Sequence, residues 1–182
     1  MTYYGAKELA ASFRTVRANT IKVAEEIPED KYSFEAAPGM RSVGHMLAHI
    51  ALGYRFMEHV NRVEHRFNMD GFNFPAFIQQ LIADVDQPRS KAELIELLKT
   101  EGEKWASWLE TVDEAFLAER ITFPNGDSRC RFDMLGSVKE HEMHHRGQLM
   151  LIERMLGITP HLTRESQARM AAMQAAMASQ KQ

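Results

Sequence analysis

The chain contains eight histidines, and they are not evenly spread. Within residues 133–157, DMLGSVKEHEMHHRGQLMLIERMLG, steps of alternating four and three residues mark the positions that would face a partner helix. They reach Met134, Val138, His141, His145, Gln148, Ile152 and Met155. The apolar seam therefore opens in its middle, where two imidazoles and an amide replace hydrocarbon. A buried polar group without a partner costs about 1–3 kcal/mol. Two histidines at i, i+4 on one helix face can meet that cost together by holding a divalent metal. The plainer alternative is a pair of core histidines bonded to carbonyls or carboxylates. His144 lies roughly 100° off the stripe and is expected at the surface or on a pocket rim.

A structural zinc takes four protein ligands, whereas a catalytic one keeps three and leaves a position open. The third ligand should come from a neighbouring helix, and SVGHMLAHI, residues 42–50, offers His45 and His49. His49 lies roughly 100° from that helix's seam and His45 about 140°, which puts His49 nearer the interior. His59 and His65 are expected at the surface or at a dimer contact. Glu101 interrupts the seam of its own helix and could accept from a ligand's second ring nitrogen. Gln148 could line a pocket or bridge helices. HEMHH also satisfies H-E-x-x-H, with Glu142 as the general base of a zinc protease.

These residues need a scaffold, and periodicity predicts four long helices. The first spans about Lys7 to Ile27 and stops at Pro28. The second starts at the N-cap Ser42 and runs to about Phe67. A third opens at the capping-box pair Ser90 and Glu93 and includes Trp105 and Trp108. The fourth runs from about Asp133 to Gly157. A short helix over AFIQQLIADV and a small hairpin around Pro124-Asn125-Gly126 are the other elements expected. The fold class is all-α, a four-helix bundle with long connections over residues 1–160. Residues 161–182 form a tail or short helix carrying Met170, Met173 and Met177.

Composition agrees with one globular domain. Hydrophobic residues make up 45% of the 182, charged residues 26%, and the net charge is −3. No basic block suggests nucleic acid or a membrane surface, and no apolar run approaches a membrane span. The N-terminus lacks the pattern of a signal peptide, and the single cysteine, Cys130, excludes an internal disulfide framework. The cytoplasm is the expected location.

HEMHHRGQL, residues 141–149, preceded by SVGHMLAHI, resembles the DinB/YfiT-like superfamily of metal-binding four-helix bundles. The resemblance extends from the first helix to Gly157, and H-x-x-H-H-R-G-Q is its most specific part. It implies ligands at His49, His141 and His145, zinc or nickel as the metal with water completing the shell, and a homodimer. It also implies a small-molecule substrate, with low-molecular-weight thiols used by some relatives and hydrolysis ascribed to others. His45 stands where that family often has a non-histidine residue, which raises the possibility of a fourth ligand or an altered pocket. The protease reading lacks a strand to hold a peptide, would need Glu153 or Glu165 as third ligand, and does not account for Arg146-Gly147-Gln148. A three-histidine site leaves the cation's charge uncompensated, the condition for ionising a bound water or thiol. Activation of a small thiol or a water is therefore the leading expectation. A non-catalytic stress-related dimer with a structural metal is the alternative.

Overall fold

Helix α1, Ala6–Glu26, buries Leu9, Phe13, Val16, Thr20 and Val23 at helical spacing, and with them one charged residue, Arg17. It belongs to a computed structural model that describes residues 4–179. Helix α2, Val43–Leu52, begins where the Ser42 side chain accepts from the His45 amide. After a turn at Gly53 and Tyr54 it resumes as the short α3, Arg55–Glu58, and a π-turn over His59–Val63. The single second helix expected to about Phe67 is thus broken and ends earlier. Helix α4, Phe74–Val85, is capped by Asn73, and α5, Lys91–Leu109, starts with the reciprocal Ser90–Glu93 box. A one-turn helix α6, Glu114–Ala118, precedes strands β1, Arg120–Thr122, and β2, Ser128–Cys130, which pair antiparallel. Helix α7, Arg131–Met155, stops at Gly157, whose φ of +79° favours glycine, while the Ile158 amide donates back to the Glu153 carbonyl. Helix α8, His161–Ser179, leaves Met170, Met173 and Met177 exposed. Residues 180–182, the end of the expected tail, lie outside the described part. Among the described residues no helix is long and apolar enough to cross a membrane.

Four helices form the bundle expected from the periodicity. Both α1 and α2 pack against α5 and α7, so α1 and α2 occupy opposite corners, as do α5 and α7. Chain neighbours in the bundle are therefore diagonal at the first and last connections, which explains the irregular segments 27–42 and 110–130. The two helices that carry His49, His141 and His145, α2 and α7, are adjacent walls.

The interior divides along its length. One apolar cluster holds Leu9, Ala10 and Phe13 of α1 with Trp105, Ala106 and Leu109 of α5 and Leu135 and Val138 of α7. A second holds Val23, Ala24 and Ile27 with Leu94 and Leu98 of α5 and Leu149 and Ile152 of α7. Between them run Arg17, Gly102, Glu142 and His145, a polar belt across the bundle. The buried face of α7 also drifts from the strict four-three seam. Glu142, Leu149 and Glu153 are inside, while Met155 is 53% exposed. A straight helix turns about 20° per heptad away from a 3.5-residue repeat, and over 25 residues that rotation exchanges the seam's edges.

Glu153 is fully buried, and among the described residues neither carboxyl oxygen has a hydrogen-bond partner. Burial, aided by the charge of Glu26, pushes its pKa up from 4.5 to about 7. The folded state then holds a proton that the unfolded chain releases, so stability falls as pH climbs from about 4.5 to about 7 and stays low above it. Glu153→Gln should remove this dependence, giving a gain of about 1–3 kcal/mol over wild type at pH 8 that shrinks at pH 4. Urea unfolding of both proteins at the two pH values checks it; an equal difference at both would contradict it.

Candidate metal centre

The polar gap in α7 faces α2, and three side chains meet there. His49 Nε2 lies 3.0 Å from His141 Nε2, and His145 Nε2 lies 3.2 Å from the same atom. No other group of histidine, cysteine or carboxylate ligand atoms converges in this way among the described residues. The rings come from two helices: His49 from the last turn of α2, His141 and His145 from successive turns of α7.

Burial depresses all three imidazoles, with the charge of Arg41 acting in the same direction. The His49 pKa falls to about 3 and that of His141 to about 4. Neutral rings are what a metal requires of histidine. His145 is also oriented: its Nδ1 stands 2.8 Å from Gln148 Oε1. The amide oxygen can only accept, so Nδ1 carries the proton and Nε2 turns its lone pair to the centre. Three lone pairs cannot satisfy one another. Nitrogens bound to one zinc at about 2.0–2.1 Å in tetrahedral array stand roughly 3.3 Å apart. The two separations from His141 are close to that and all three nitrogens lie within 4.8 Å of one another, so the residues present fit a divalent cation.

The remaining sequence candidates are held by other partners. His45, one turn before His49, turns outward to Asp86, with Nε2 3.4 Å from a carboxylate oxygen. It lines a separate cleft of about 600 Å³ that shares none of the three rings. Glu101 accepts from the Tyr54 hydroxyl at 2.8 Å and from Arg55 Nε at 3.3 Å, not from a histidine. Glu142 is buried against Arg17, whose Nε donates to its two oxygens at 3.0 and 3.1 Å. A carboxylate so engaged is unavailable as the general base that H-E-x-x-H would need. Gln148 is the one of these four that touches the centre, through His145. His144 is exposed, 3.3 Å from the Gln148 amide nitrogen.

Two further residues shape the centre without a motif to announce them. A methyl group on Gly53 would lie 2.9 Å from the His49 carbonyl oxygen and 3.0 Å from His141 Cε1. The missing side chain at the helix break is therefore what admits the His141 ring. Gly102 does the same for Arg17, whose Cγ would lie 2.8 Å from an added Cβ. A glycine inside a helical pattern was the only sequence signal for either.

Beside His49 and His141 opens a cavity of about 380 Å³ between α2, α3, α4 and α7. The centre thus has a packed side, toward the belt, and an open one.

A helical bundle with diagonal chain order and a histidine cluster between its second and fourth long helices defines the class. The chain belongs to the DinB superfamily, whose model matches residues 12–149. It is similar to YjoA of Bacillus subtilis, an uncharacterized protein, with 26% identity over 156 residues, 85% of this chain and 92% of YjoA. The crystal structure of YjoA, a DinB-like protein, superposes with a TM-score of 0.61 at 25% identity, covering 84% of this chain and 94% of that one. YfiT from the same organism gives 0.66 at 13% identity, covering 87% and 91%; it is described as a probable metal-dependent hydrolase with an unusual four-helix bundle topology. A DinB-like protein of Bacillus cereus gives 0.65 at 19% identity, covering 87% and 97%.

Proposed function

We propose that the protein is a metal-dependent enzyme in which His49, His141 and His145 hold a divalent cation, zinc or nickel, that activates a water or a small thiol for attack on a small electrophile. The observation that carries this reading is the convergence of three neutral ring nitrogens, two of whose rings, His49 and His141, stand at the edge of a cavity. When bound, such a cation would lower the pKa of a water or thiol held at its open position. Glu142 and Glu101, the carboxylates considered as candidates for the site, are both committed to cations, and no acid lines the cavity. The nucleophile would therefore have to be ionised by the metal's charge alone. YfiT's description as a probable metal-dependent hydrolase supports the water branch. The family resemblance of the H-x-x-H-H-R-G-Q stretch supports the thiol branch. A homodimer working in the cytoplasm is part of the same proposal.

The alternative, a non-catalytic dimer with a structural metal, would need a closed shell. His45, the side chain best placed by sequence to close it, faces Asp86 instead. Elemental analysis of the purified protein, followed by a conjugation and hydrolysis screen with and without chelator, tests the proposal. Roughly one equivalent of metal is expected, with activity lost on chelation while the helical signal persists. Unfolding together with metal loss would favour the structural role.

A further inference from the structure

Resting on the metal-dependent reading, we infer that the substrate reaching this centre presents an uncharged, apolar body to the cavity beside His49 and His141. The lining decides the chemistry. Helix α3 supplies Phe56 and Met57, α4 supplies Phe74, Ile78 and Leu81, and α7 supplies Val138. None of the cavity's lining residues is an acid, a lysine or an arginine. The polar atoms it offers are those of Ser137 and of the two rings at its floor. Arg41, the cation that acts on all three imidazoles, is not among the lining residues.

A cavity of about 380 Å³ is within the range that small-molecule sites occupy. Its walls are pre-built. Phe56 stands at the centre of a group of phenyl rings, 5.8 Å from Phe72, 5.5 Å from Phe74 and 5.7 Å from Phe77 between centroids. Phe74 nevertheless remains 50% exposed at the start of α4. An apolar ligand seated in the cavity would cover that exposed half. An anionic tail placed among these groups would lose its hydration with no cation to replace it. The same walls would reject a peptide's polar backbone, which again sets the site apart from a protease cleft.

The test uses the zinc-loaded protein and four hydroxamates that share a metal-binding head: acetohydroxamate, hexanohydroxamate, benzohydroxamate and the monohydroxamate of adipic acid. Each buried methylene strengthens binding about fourfold. Hexano- and benzohydroxamate should therefore bind at least about tenfold tighter than acetohydroxamate by calorimetry, and the carboxylate-tipped compound should lose that gain. Phe74→Asp should erase the preference for hexano- and benzohydroxamate over acetohydroxamate. Residue 74 is half exposed, and an acid in the first turn of a helix is favourable, so this variant is expected to fold. Equal affinities for all tails, or tightest binding of the carboxylate, would overturn the inference. In parallel, 1-hexanol is titrated into metal-free protein while the Met57, Ile78 and Leu81 methyl resonances are followed. Shifts confined to those methyls support the cavity's preference even if no metal is ever bound. Their absence refutes it whether or not zinc is held.

Discussion

His145→Ala should abolish stoichiometric zinc binding, while His144→Ala, one residue away, should leave it nearly intact. The two rings are chemically identical, so only placement can separate them. His145 Nε2 points at the cluster and its Nδ1 is pinned by Gln148, whereas His144 is exposed. Removing one of the three proposed ligands would leave two neutral imidazoles, too few for a tight zinc site. Gln148→Ala should fall between the two. It keeps all three rings but frees His145 to rotate or change tautomer, and loss of such a supporting bond costs about 10–100-fold in affinity. Competition against a chromophoric chelator measures the whole series. Equal losses at positions 144 and 145 would mean that α7 presents a different face to α2.

The second large effect concerns stability. Arg17→Met should destabilise the fold by about 3–5 kcal/mol, because it leaves the Glu142 carboxylate buried without its cation. The pair is almost wholly withdrawn from water, with side-chain exposures of 5% and 2%. The arginine also donates from Nη1 to the Leu98 carbonyl at 2.7 Å and from Nη2 to the Ile50 carbonyl at 3.3 Å, tying α1 to α5 and α2 as well as α7. Adding Glu142→Leu to Arg17→Met should restore most of the loss, since a buried ion pair replaced by apolar groups of similar volume is often neutral or better. Chemical denaturation of the two single variants and the double variant completes the cycle. A double variant as unstable as Arg17→Met alone would mean that the unpaired carboxylate is not the source of the loss. Recovery of stability in the double variant would show that the pair's cost lies in an unpaired buried charge.

Much of this was legible before any coordinates. The caps at Ser42 and Ser90 and the stop at Gly157 are local chemistry, in which a few adjacent residues fix the backbone, and the structure keeps all three. The histidine pair of α7 could be read because two imidazoles in one apolar seam conflict with their surroundings. The choice of His49 over His45 rested on a modest difference in helical angle, and the structure brings His49 alone to the α7 rings. What stayed hidden is non-local. Arg17 and Glu142 are 125 residues apart, and nothing near either one signals the other. The break after Leu52 escaped because the apolar pattern continues through Gly53 and Tyr54, and a tertiary contact, the His141 ring, determines that position. Glu142 looked like chemistry because a five-residue pattern cannot reveal which way a carboxylate faces. The cavity wall contributed by α4 was obscured by that helix's largely exposed surface, since only Val85 among its residues is fully buried.

The ionic belt also serves as an axial stop. On α7 the residue that pairs with Arg17 lies between the two rings, so one stretch of helix carries both the latch and two of the three converging imidazoles. Sliding α7 along α1 by a single turn, about 5.4 Å, would set a bare carboxylate against Phe13 or Ile21. The oily halves on either side can exchange side chains and repack, because hydrocarbon has no preferred height. The belt does have one, and it thereby meters how far along the bundle His141 and His145 stand from His49.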